Sequence, residues 1–161
     1  MRIMGVDPGA SRTGYGIIEK NGTRSSYVAS GAIHLCRKGE FSKRLQEIYS
    51  QLDEVICFYE PKVLVVESLF QGKNVQSLMK LCQVRGVVLL LGENHAMNIF
   101  EYTPAEVKIG LTGYGRAEKQ QMVFMIKRVL ELPWLKSPDE ADALAMALYH
   151  SHITLPSRAV S

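Results

Sequence analysis

Cysteine is scarce in this sequence: Cys36, Cys57 and Cys82 are the only three in 161 residues, with no C-x-x-C spacing among them. An odd, scattered set excludes a disulfide framework and reads as the reduced thiols of a cytoplasmic protein. Zinc-like spacing is missing too, since His34 and Cys36 share a strand face but no further ligand follows at a zinc interval. No apolar run approaches the roughly 20 residues that span a bilayer. The longest, Val87 to Leu91, reads as part of a buried helix, and Met1 to Asp7 lacks a signal-peptide apolar core. Neither sign of charge dominates: 19 Lys and Arg against 16 Asp and Glu leave +3, which alone does not point to nucleic acid. Ser11 and Ser68 have no accompanying histidine constellation, which argues against a serine nucleophile. Gly14-Tyr15-Gly16 is too short for a dinucleotide fingerprint.

What is there is ordinary globular material, 47% hydrophobic and 22% charged. The length predicts one domain, residues 1–153, with 154–161 as a flexible tail. Ile3 to Val6 reads as a strand ending at the Asp7-Pro8-Gly9 turn. Gly14 to Glu19 is a second strand, Asn21-Gly22 a hairpin signal, and Tyr27 to Leu35 a third strand. Apolar residues at 41, 45, 48, 52, 55, 56 and 59 predict a helix over 41–59, stopped by Pro61. Val63 to Val66 is continuously apolar, as suits a central strand covered on both faces. A helix is expected over 74–91, a strand over 98–102 and a brief helix over 103–108 with Pro104 in its first turn. A glycine-rich loop follows over 110–115, then a helix over 117–132. Ser137-Pro138-Asp139-Glu140 is a capping box opening the last helix, which runs to about His150. His150 and His152 read as surface or cap residues. The order βββ-α-β-α-β-α-α-α predicts an α/β fold, a five-stranded mixed sheet whose first three strands are antiparallel, flanked by helices.

Four carboxylates stand out. Asp7 and Glu67 end two strands, where ligand sites of open α/β sheets lie. Asp139 and Asp142, at i and i+3, share a helix face. Each has a structural alternative: an Asx-turn acceptor for Asp7, a merely exposed residue for Glu67, a helix-dipole partner for Asp139 and a salt bridge for Asp142. Asp142 sits in an Ala-rich helix that should pack closely on the sheet, where an unpaired carboxylate costs several kcal/mol. Converging carboxylates repel, and hard divalent ions such as Mg²⁺ or Mn²⁺ relieve that. Two such ions roughly 4 Å apart stabilise the attacking and leaving oxygens of a phosphoryl displacement.

Asp7-Pro8-Gly9 with Thr13 to Gly16, Val65 to Phe70, Arg85-Gly86, Gly115 to Lys119 and Asp139 to Ala145 resemble, in order and spacing, the bacterial RuvC Holliday-junction resolvases. The resemblance runs from Arg2 to about His152. It implies a ribonuclease-H-like fold, helices on both faces of the sheet, and a homodimer that cuts four-way junction DNA by paired nicks, leaving 5′-phosphate and 3′-hydroxyl ends. Asp7, Glu67, Asp139 and Asp142 would then be the catalytic acids, binding Mg²⁺, or Mn²⁺ in its place, as two ions per subunit. Lys108 and Lys119 would meet the scissile phosphate, and Phe70 would stack on an unpaired base. It also implies a RuvA-RuvB branch-migration complex as partner, and no membrane. Lys73, Lys80 and Arg85, with no acid between Gln71 and Gly92, form a candidate backbone track, and Arg116 in the glycine loop is a similar DNA-binding candidate. The helix over 74–91 carries more apolar residues than one stripe and is the expected dimer contact. An actin-like nucleotide-binding lobe, a non-catalytic junction binder and a related nuclease acting on RNA stay open as alternatives.

Overall fold

The structure, a computed structural model, describes residues 1–35, 39–68, 74–135 and 137–153. Five strands, β1 (Arg2–Asp7), β2 (Arg12–Asn21), β3 (Arg24–His34), β4 (Val63–Glu67) and β5 (Asn98–Tyr102), form one sheet in the order β3-β2-β1-β4-β5. The first three are antiparallel; β1 with β4 and β4 with β5 are parallel. Among the described residues the helices are α1 (Phe41–Tyr59), α2 (Val75–Asn94), α3 (Pro104–Thr112), α4 (Lys119–Val129) and α5 (Pro138–Ile153). The expected tail, together with Cys36, Phe70 and Lys73, lies outside the described residues.

Alternation along the strands divides the core in two. Ile3, Val63 and Val65 join α3, α4 and α5 on one face. Met4, Val6, Leu64 and Val66 join α1 and α2 on the other. The central strands are therefore apolar at successive positions because both faces are covered.

On its own face α5 rests almost directly on backbone. A Cβ at Gly5 would stand 2.0 Å from the Ala143 carbonyl oxygen, and one at Gly16 would stand 2.6 Å from Leu144 Cγ. At Gly14 the obstacle would be the Asp139 carbonyl oxygen, 2.3 Å away. Three glycines on β1 and β2 thus let an Ala-rich helix approach the sheet more closely than side chains would allow.

Several expectations are corrected. The hairpin loop is Gly22-Thr23, because Asn21 already pairs with Arg24; Gly22, at φ 62°, supplies the left-handed residue. Gly110 is no loop residue but lies within α3, which runs on to Thr112, and its missing side chain makes room for the Tyr149 ring. His150 is buried, not a surface residue: its Nδ1 pairs with the Tyr102 hydroxyl at 2.8 Å and its ring lies against Phe100. Contrary to the expectation of no span-length apolar run, helix α2 is long and apolar enough, by length and composition, to cross a membrane. In the fold it buries Val84, Val88, Leu91 and Gly92 against the sheet, while Val75, Met79 and Leu90 stay exposed.

Candidate functional site

Register and pleat bring the first two carboxylates together. Val6 pairs with Val66, so Asp7 and Glu67 follow side by side at the carboxyl ends of adjoining parallel strands. Alternation places them on the face of Ile3, Val63 and Val65, which is the face α5 covers. Helix α5 starts above β2, with Gly14 beneath the Asp139 backbone and paired across to Asp7. Asp142 follows one turn later. The quartet therefore gathers from β1, β4 and the first two turns of α5.

The electrostatics agree. Burial, then the charges of Glu67, Asp142 and Asp139, push Asp7 up to about 7. Burial and Asp142 also raise Glu67, which Lys108 partly offsets. A cleft of about 240 Å³ opens beside them, lined by Glu67, Lys108, Lys119 and Asp142 over an apolar floor of Val107, Met122 and Met146. Asp142 is not buried as expected: its side chain is 44% exposed and accepts a hydrogen bond from Lys119 Nζ at 3.0 Å. Asp139 Oδ2 is buried and accepts no hydrogen bond among the described residues, and the Arg12 guanidinium stands 3.4 Å away without hydrogen-bond geometry. The donor set is all oxygen, mutually repelling, and includes one buried oxygen that accepts no hydrogen bond among the described residues. That combination fits a hard divalent cation.

The turn beneath Asp7 is braced by Thr13, whose hydroxyl donates to the Gly9 carbonyl at 3.2 Å and faces the Gly9 amide at 3.4 Å. The candidate basic residues separate into groups. Lys108 and Lys119 line the cleft. Arg116 is exposed, and Lys80 is exposed with its ammonium 5.8 Å from the Phe41 ring centroid. Arg85 is turned inward, 13% exposed, donating to the Glu67 carbonyl at 3.2 Å and pairing with Glu101. Its position makes it a brace for the end of β4.

Sequence reasoning missed Arg12 and Glu140. Arg12 carries no signal beyond its charge. Glu140 has the sequence position of a capping residue, and the Ser137 hydroxyl does accept from its amide at 3.3 Å. Its carboxylate, however, is 3% exposed and accepts from Ser30 Oγ at 2.8 Å and Ser137 Oγ at 3.2 Å, with Tyr27 Oη 3.2 Å beyond Ser30. This buried network ties the start of α5 to β3 across β2.

Known proteins resemble this chain in sequence and in fold. The family model "Crossover junction endodeoxyribonuclease RuvC" matches residues 3–150. The protein of that name from Citrifermentans bemidjiense is 45% identical over 152 residues, 94% of this chain and 93% of the relative. The one from Geobacter metallireducens is also 45% identical, with the same coverage. Among solved structures, RuvC of Thermus thermophilus in complex with a Holliday junction substrate matches with a TM-score of 0.89 and 26% identity, covering 94% of this chain and 93% of that one. The yeast mitochondrial resolvase Ydc2, at 11% identity and a TM-score of 0.67 over 93% of this chain and 77% of that one, shares the fold alone. The sheet and its helices are thus ribonuclease-H-like, and this chain belongs to the RuvC family of crossover junction endodeoxyribonucleases.

Proposed function

We propose that this protein resolves four-way DNA junctions, hydrolysing one phosphodiester in each of two opposed strands to leave 5′-phosphate and 3′-hydroxyl ends. Residues 1–153 form one nuclease domain in this reading. The observation that carries it is the gathering of Asp7, Glu67, Asp139 and Asp142 at one strand end, facing Lys108 and Lys119. The Thermus relative's complex with a Holliday junction substrate supports the choice of substrate.

The four acids would hold Mg²⁺, or Mn²⁺ in its place, as two ions per subunit. Held there, such ions would supply Lewis acidity toward an attacking water and a departing 3′-oxygen. The chain's own residues prepare the ground. Asp7 holds its proton up to about pH 7 only because burial and three neighbouring carboxylates disfavour its charge, so the site is poised to exchange that proton for a cation. Arg12 steadies Asp139, and Arg85 steadies the backbone of Glu67. Lys119, the first residue of α4, offers its ammonium and a helix N-terminus to the scissile phosphate. Lys108 neutralises the same region from α3. Lys73, Lys80 and Arg116 follow the flanking backbone and Phe70 stacks on a base at the crossover.

A second copy supplies the second cut. A two-fold dimer matches the approximate symmetry of a junction, and the uncovered apolar face of α2 is the contact we assign to it. A RuvA-RuvB branch-migration complex is the partner, and the cytoplasm is the compartment. The decisive experiment incubates the protein and Mg²⁺ with a synthetic four-way junction and with a linear duplex. Symmetric ligatable nicks in the junction alone are expected. Asp7→Asn should bind the junction without cutting it. Equal cutting of both substrates, or unimpaired cutting by Asp7→Asn, would overturn the reading.

A further inference from the structure

The far end of the molecule holds a second set of donors with a different chemistry. Asp53 and Cys57 lie one turn apart near the end of α1, at i and i+4 on one face. His95 caps α2, its amide donating to the Leu91 carbonyl at 3.1 Å. The three side chains converge: one carboxylate oxygen, one thiol sulfur and one imidazole nitrogen all lie within 4.8 Å of one another. His95 Nε2 is already 2.6 Å from Asp53 Oδ1. Cys57 is exposed and the other two are partly so, which leaves an open approach from solvent.

We propose that Asp53, Cys57 and His95 form a site for a borderline transition-metal dication, Zn²⁺ foremost. A tetrahedral zinc with S, N and O ligands holds its donor atoms roughly 3.3–3.8 Å apart, given its usual bond lengths. With all three atoms already within 4.8 Å, side-chain adjustments alone reach that spacing, Nε2 and Oδ1 opening from 2.6 Å. Water takes the fourth position. An ion pair between His95 and Asp53 explains two of the three residues. It gives no role to the thiol that both of them face, and a thiolate is the donor that selects zinc over magnesium.

Placement keeps the two sites apart. Helix α1 leads into the start of β4, and α2 runs back to the start of β5, parallel to β4. The trio therefore sits by the amino ends of these strands, whereas Asp7 and Glu67 stand at the carboxyl ends of β1 and β4. Each set differs in donor softness as well, so one chain would sort a hard ion to one end and a borderline ion to the other. Bound zinc would pin the end of α2 to α1.

Co²⁺ serves as the spectroscopic probe. Titrated into the reduced, full-length protein, it should give a near-ultraviolet thiolate-to-cobalt absorption that Zn²⁺ abolishes by displacement. The band should vanish in Cys57→Ser and in His95→Ala, and persist in Cys82→Ser and in Asp7→Asn. Zn²⁺ should raise the Tm of the parent protein and leave that of Cys57→Ser unmoved. Absence of the thiolate band, its survival in His95→Ala, or its loss in Cys82→Ser with retention in Cys57→Ser would overturn the site. An equal zinc shift in parent and Cys57→Ser would do so too. None of these readings depends on DNA cleavage, so failure here is distinguishable from failure of the proposed nuclease function.

Discussion

Asp7 combines a near-neutral proton affinity with the first strand's end, and its protonation has a thermodynamic signature. Its pKa in the folded state, about 7, lies above the ordinary 3.8. Between those values the unfolded chain binds fewer protons than the folded one, so stability falls as pH rises from about 4 to about 7. In metal-free protein at pH 8, Asp7→Asn should therefore be more stable than the parent by on the order of 2–4 kcal/mol, a difference that shrinks toward pH 4. Urea unfolding at several pH values measures this, and a less stable variant at pH 8 would contradict the electrostatic account. Glu140 behaves in the opposite way. Removing its carboxylate in Glu140→Ala strands the Ser30 and Ser137 hydroxyls and leaves a buried gap, costing about 2–4 kcal/mol. Glu140→Gln, which keeps the shape and can still bond, should lose much less. At this scale the sequence was only partly legible. Chain position and residue type made the four acids candidates, because strand ends and an i, i+3 pair are local facts. The burial of Glu140 and His150, the inward turn of Arg85 and the Lys119 partner of Asp142 depend on residues far away in the chain, which no local pattern encodes.

Elements were far more legible. All five strands and five helices appear in the expected order, because period-two and period-3.6 patterns are written into apolar positions and packing only confirms them. Val63 to Val66 suits a strand covered on both faces, and β4 lies inside the sheet between β1 and β5. Boundaries slipped where glycine was read as punctuation. Gly110 serves packing against Tyr149 rather than chain reversal, and a single sequence offers no way to tell the two uses apart. The glycines under α5 make the same point with a larger consequence. Gly5→Ala places a methyl 2.0 Å from the Ala143 carbonyl oxygen, and neither partner is a flexible side chain. We expect a loss of roughly 3 kcal/mol or more, or failure to fold, since relief requires lifting α5 from the sheet. Gly86→Ala, whose added carbon meets nothing within 4 Å, is the control and should match the parent or exceed it in Tm.

For the whole molecule, the uncovered face of α2 matters most. Val75 is 70% exposed, Met79 59% and Leu90 54%, and their spacing puts all three on one side of α2. Met79→Lys with Leu90→Lys should convert the proposed dimer to a folded monomer in sedimentation velocity and replace paired junction nicks with unpaired ones. A parent protein that sediments as a monomer would remove the basis for this assignment. Rigidity completes the picture at this scale. Helix α5 lies on bare backbone, so moving the segment that carries Asp139 and Asp142 means lifting a helix off the sheet. An anvil of that kind does not yield to its workpiece. Whatever deformation the encounter demands must be supplied by the nucleic acid, and a pliable branch point accepts it at far smaller elastic expense than a straight duplex. Discrimination by shape would then originate in what the protein refuses to do.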